Sequence, residues 1–223
     1  MGLHSRIWHY GFILAMPAFV WVVYLLVDLL PRTFIPGSTN KYWFRCSTMF
    51  LLLIAFCQLA AQSADLYQKR DFEIATGPDR ILTWNQQISY SSEVSEALAW
   101  IEENVDRNET IGVLPEGAML NFLTRRKNPT PYLVFMAEVE AFGIDRMTQA
   151  YQQNPPDYII LVHRETGEYG WDYFGKQNDY GLDLMSWVNV NYKPVHRIGY
   201  EPLRNGLFGI KMLKRITPTQ PEA

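Results

Sequence analysis

"ILAMPAFVWVVYLLVDLL", Ile13 to Leu30, runs eighteen residues with a single charge, Asp28. The hydrocarbon core of a bilayer, about 30 Å thick, takes roughly 20 mostly apolar residues of helix. The stretch reaches that length if its helix begins near Ile7. A second run, "CSTMFLLLIAFCQLAA" from Cys46 to Ala61, carries no charge and reaches it from Tyr42. Trp8, Tyr10, Tyr42 and Trp43 then lie where interfacial aromatics belong. A cleaved signal peptide fits poorly, because its apolar stretch is about 7–15 residues and ends in small residues. A core helix fits poorly too. A helix apolar on every face sits deep in a large core or in lipid, and 223 residues build no large core. The sequence predicts a transmembrane helical hairpin over residues 1–63, with spans at about 7–30 and 42–62.

The loop between these spans, Pro31 to Arg45, holds Arg32, Lys41 and Arg45 and no acid. Short loops rich in lysine and arginine stay in the cytoplasm, which puts both termini on the opposite side. Cys46 and Cys57 are eleven residues apart on one helix, about 16 Å, too far for a disulfide. They read as small apolar residues facing lipid or a neighbouring helix. Pro17, Ala15 and Ala18 in the first span, with Ser47, Ala55 and Ala60 in the second, suit close packing against another helix. A net charge of −3, with no basic stripe among aromatics, argues against a nucleic-acid partner.

Beyond Ser63 the composition turns polar. Residues 64–91 read as a juxtamembrane helix and linker broken at Gly77-Pro78. From Ser92, a predicted N-cap, Val94, Leu98, Ile101 and Val105 recur at helical spacing. "TIGVLP" reads as a buried strand, "GAMLNFLTRR" as a helix with Met119, Leu120 and Leu123 inward, and "DRMTQAYQQN" as another helix. "DYIILVHR" is the clearest strand. "YGLDLMSWVNVNY" follows as a helix with Leu182, Met185 and Trp187 or Val188 inward, then "KPVHRIGY" and "LFGIKMLKR" as a hairpin turning at Asn205-Gly206. Strands alternating with helices predict a small α/β domain over 92–216, its sheet mainly parallel and closed by a C-terminal antiparallel hairpin. Residues 217–223 read as a disordered tail.

Ligands bind open α/β sheets beyond the C-terminal ends of their strands. Glu116 leaves the first predicted strand there, where it reads as a binding carboxylate or, more plainly, as a turn and helix-capping residue. Arg125, Arg126 and Lys127 end the next helix. Arg126 and Lys127 suit an anion or lipid-headgroup clamp, against the plainer reading of a solvated helix end. "VHRETGEYGWDYFG" follows the strongest strand, and its Glu168 and Trp171 suit either a carbohydrate site or a loop that ties itself down. "PEG" matches neither a dinucleotide turn nor a phosphate loop. His4, His9, His163 and His196 show no metal-ligand spacing. No catalytic constellation, metal site or cofactor is predicted.

Together, "PGSTNKYWFR", "LPEGAMLNFLTRRKNPTPY", "PPDYIILVHRETGEYG", "FGKQNDYG" and "EPLRNGLFGIKML" resemble the C-terminal region of bacterial GT-C type membrane glycosyltransferases. These are enzymes related to the protein mannosyltransferase and aminoarabinose transferase families. The resemblance implies the last two spans of such an enzyme and its extracytoplasmic α/β domain, in a bacterial inner membrane with both termini periplasmic. Those enzymes take sugar from a polyprenyl-phosphate donor, using an acid in an early extracytoplasmic loop that no residue here matches. Expected, then, is a non-catalytic subunit or interaction module that meets membrane lipid and a membrane-protein partner. The rival expectation is the C-terminal part of a split or truncated transferase acting on a polyprenyl-phosphate sugar.

Overall fold

The chain divides between Lys69 and Arg70 into two units. The computed structural model describes residues 12–84 and 90–216. Predictions for residues 1–11 and the 217–223 tail therefore lie outside the described residues.

The first unit is helical. Helix α1 (Phe12–Tyr24) runs through a π-helical turn, Leu25–Leu29, into α2 (Leu30–Phe34). After Ile35–Gly37 comes α3 (Ser38–Gln68), 31 residues long. The predicted loop of residues 31–45 is thus mostly helix, and the second helix extends beyond 42–62 at both ends. Both helices, Met16–Phe34 and Ser38–Gln68, are long and apolar enough to cross a membrane. Pro31 explains the π turn. It has no N–H to give the carbonyl of Val27 four residues back, which in a helix interior disrupts the ladder. Arg45 Nε on α3 supplies the missing donor to Val27 O at 2.9 Å.

In the second unit the stretch read as a linker forms an antiparallel pair, β1 (Phe72–Ile74) and β2 (Ile81–Thr83), around a 3₁₀ turn at Gly77–Asp79. Helix α4 (Ser91–Asn104) follows. Strand β3 (Ile111–Leu114) leads to α5 (Ala118–Thr124), α6 (Ala137–Phe142) and α7 (Ile144–Gln153). Strand β4 (Tyr158–Val162), helix α8 (Leu182–Asn191) and strands β5 (Tyr192–Gly199) and β6 (Gly209–Arg215) complete the fold. The four-stranded sheet has the order β3-β4-β6-β5. Only β3/β4 is parallel; β4/β6 and β5/β6 are antiparallel. The expected α/β domain with its closing hairpin is present, but the sheet is mixed rather than mainly parallel. The reason is that β6 inserts beside β4 and separates it from β5.

Strand side chains alternate between faces, and β4 divides the core accordingly. Tyr158 and Ile160 join Ile111, Val113, Ile210 and Met212 against Ala97, Leu98 and Ile101 of α4 and Leu120 of α5. Ile159 and Leu161 face the opposite way, with Leu213, towards Met147 and Tyr151 of α7 and Leu184 and Val188 of α8. The sheet is therefore a middle layer between helices. On α8 the fully buried positions are Leu184 and Val188, one turn apart; Leu182, Met185 and Trp187 are half-buried. Met119 of α5, expected inward, is 37% exposed.

Candidate functional site

The parallel strands β3 and β4 end side by side, and a cleft of about 290 Å³ opens at that edge. Ile74, Tyr90, Val94, Val162 and Phe208 make its apolar floor and walls. Tyr90 and Phe208 lie face to face with ring centroids 3.9 Å apart. Polar groups stand on the rim: Glu116 beyond β3, His163 and Arg164 beyond β4, and Ser91 at the start of α4.

Glu116 takes its place through local backbone. It pairs with Val134 in an isolated antiparallel bridge, and the Phe135 N–H donates to Pro115 O at 2.7 Å. Gly117 is required next, because a Cβ there would sit 2.4 Å from Val113 Cγ1. The Glu116 carboxylate lies 3.3 Å from Arg164 Nε, and Arg164 reaches Glu168 at 3.4 Å on its other side. Arg164 thus brings together two residues that the sequence singled out separately. Nothing in the linear pattern marked it as their bridge. All three side chains are 36–43% exposed, so each pair contributes no more than about 1 kcal/mol.

His163, although it lines the cleft, is 7% exposed and held from behind. Leu203 N–H donates to its Nδ1 at 3.2 Å, which places the proton of the neutral ring on Nε2. Among the described residues Nε2 has no hydrogen-bond partner. Burial pushes the pKa of this histidine below its ordinary value, against the pull of nearby Glu165. A neutral histidine that ties the β5–β6 loop to the end of β4 is a structural fastening.

Arg126 and Lys127, the two residues of the predicted anion clamp, line one hollow of about 570 Å³ beyond α5. Arg126 is 4% exposed. Its guanidinium donates to Glu102 Oε1 at 2.6 Å, Thr124 O at 2.6 Å and Val105 O at 2.7 Å. It satisfies carbonyls at the C-terminal ends of α4 and α5, which commits both terminal nitrogens of the guanidinium inside the protein. Arg125 adopts the left-handed conformation that ends α5, pairs with Asp79 and lies over the Phe122 ring. Lys127 alone of the two proposed clamp residues is exposed.

Trp171 is also committed inward. Its ring stacks on Tyr180 at 4.5 Å between centroids, nearly parallel at 15°, and packs against the core. Tyr180 is fully buried, and loss of solvent drives its hydroxyl pKa far up. Thr166 Oγ1 donates to Asp172 O at 2.8 Å, and Gly175 N–H to Tyr180 O at 2.9 Å, so the loop is tied at two levels. A hollow of about 330 Å³ beside it is lined by Trp171 together with Glu165, Thr166, Gly167, Asp172 and Tyr173.

Among the described residues no three His, Cys, Asp or Glu side chains gather in a way that would hold a metal ion. No family model, curated protein or solved structure matches this chain. The sheet edge is built for a small, largely apolar contact beside a carboxylate–guanidinium–carboxylate row.

Proposed function

We propose that this protein is a membrane-anchored, non-catalytic subunit, derived from the C-terminus of a GT-C type glycosyltransferase, that packs its helices against a membrane-protein partner. The observation that carries the reading is the outward display of apolar side chains on both helices. No described residue of α3 is buried, and Phe19, Trp21, Phe50, Leu51, Phe56 and Leu59 are each more than 60% exposed. Side chains of this kind require lipid or a partner around them. Where α3 does meet the other helix, it does so chiefly at the π turn and α2, next to the connection. Among the described residues, the faces farther along would receive a third helix in this reading.

The sheet edge supports the non-catalytic part. Its carboxylates are occupied with Arg164, and its histidine with Leu203. The membrane is a bacterial inner membrane in this reading. Arg32, Lys41 and Arg45 hold the turn in the cytoplasm and the α/β domain in the periplasm. Any polyprenyl-phosphate sugar would be met through the partner.

The test is purification of the full chain from native membranes in mild detergent, with co-purifying polypeptides identified and their stoichiometry measured. A membrane protein at fixed ratio is the expected result. A partner carrying many spans and an early acidic loop would make the chain part of a split transferase instead. Recovery as a monodisperse species with no partner would end the subunit reading.

A further inference from the structure

Three cations gather where the two long helices meet. Arg32 Nε lies 2.9 Å and Arg45 Nη2 3.0 Å from the same oxygen, Oδ1 of Asp28. Lys41 Nζ donates to the backbone carbonyl of Arg32 at 3.3 Å. One carboxylate therefore gathers two guanidiniums, and an ammonium stands beside them, for a local charge of three cations against one acid. The arrangement is fixed by backbone chemistry. Pro31 deprives Val27 O of its donor, Arg45 Nε replaces it, and the rest of the Arg45 guanidinium is thereby held over Asp28.

The cations are also accessible. The Arg32 side chain is 68% exposed and that of Arg45 37%. Phe34, Tyr42 and Trp43 project nearby with exposures of 74%, 62% and 63%. Aromatics of this kind concentrate at the headgroup level of a bilayer. Two converging guanidiniums at that depth match a phosphate, which arginine grips through paired N–H groups, and lysine adds a point charge.

We infer that the turn between the helices, with Arg32, Lys41 and Arg45 gathered by Asp28, binds the phosphate of an anionic phospholipid headgroup. The inference rests on the membrane-anchored reading above. It commits to lipid over free phosphate because the flanking side chains are apolar and aromatic, so that an acyl chain has surface to follow beside the cations. Asp28 acts as the organiser: it lowers the net charge by one yet holds two guanidiniums in one place.

The full chain in nanodiscs of phosphatidylcholine, with and without phosphatidylglycerol, provides the test. Native mass spectrometry after release reads the lipids retained. Retention of phosphatidylglycerol over phosphatidylcholine is expected. Arg32→Gln and Lys41→Gln leave the Arg45 bond to Val27 in place, and each should reduce that preference about fivefold, the effect of one surface cation on anionic-lipid attraction. Helix content from circular dichroism should stay unchanged in both. Equal retention of the two lipids, or variants that keep the full preference, would overturn the headgroup site while leaving membrane insertion intact. Inorganic phosphate that displaces the retained phosphatidylglycerol at equal concentration would overturn the commitment to lipid. Failure of the chain to enter nanodiscs of either composition would instead remove the anchored reading beneath it.

Discussion

The two units of this chain put the same kinds of residue to opposite uses. Phe56 on α3 is 67% exposed, whereas Phe135 in the α/β domain is not exposed at all and meets the rings of Tyr151 and Phe174 edge-on. Arginines follow the same inversion. Arg32 at the helical turn lies open, and Arg126 in the α/β domain is sealed beneath α4 and α5. On the membrane-anchored reading proposed above, the difference is that of a chain folded for two solvents. In the second unit apolar side chains leave water by packing on one another. In the first, the described residues leave them exposed, and the proposed bilayer would supply their apolar surroundings.

Truncation of the two phenylalanines separates these regimes most strongly. Phe135→Ala should destabilise the α/β domain by about 3–5 kcal/mol, the usual result of emptying a filled aromatic site. Phe56→Ala should leave that domain's stability within about 0.5 kcal/mol. Urea unfolding of the detergent-solubilised chain, followed by the near-ultraviolet signal of the domain, measures both. Comparable losses would dissolve the distinction between the units.

The basic pair just beyond α5, Arg126 and Lys127, gives a smaller contrast. Arg126→Gln strands the carbonyls of Thr124 and Val105 and should lower stability by about 2–3 kcal/mol. Neighbouring Lys127→Gln should change it by no more than about 0.5 kcal/mol. The same denaturation experiment reads both, and a neutral Arg126 variant would reopen the anion-clamp reading.

Legibility in the sequence followed physical reach. Strand β4 stood out because four consecutive apolar residues between polar ends are needed by a strand buried on both faces. The long apolar helices stood out for the same reason. The short pair β1/β2 did not, since Glu73, Asp79 and Arg80 give it a mixed, polar pattern, while Ile74 is buried and Phe72 only partly so. Nor could the mixed sheet be read, because β6 inserting beside β4 is a tertiary choice. The candidate site was legible as an edge and not as an arrangement. Glu116 and Glu168 were visible in the sequence, but Arg164 joins them only after β3 and β4 pair. The Pro31–Arg45 connection was hidden similarly. The donor that Val27 lacks comes from eighteen residues away.

A still smaller effect concerns His163, whose pKa is lowered by burial. The unfolded chain then binds this proton more readily than the folded one. Stability from this group is full above about pH 6.5, the ordinary histidine value, and falls as pH drops from there towards the folded value. Unfolding curves at pH 7.5 and 5.5 should show a loss in the parent chain that His163→Gln reduces. An unchanged loss in the variant would assign it to other groups. The smallest effect belongs to the rim: Glu116→Gln breaks one half-exposed ion pair and should cost no more than about 1 kcal/mol, again by urea unfolding.

The claim under all of these is that α1 through α3 reside in a bilayer. Alkaline carbonate washing of membranes from cells that make the full chain tests it directly. The chain should stay with the membrane pellet and enter the supernatant only when detergent is added. Release by carbonate alone would contradict the account.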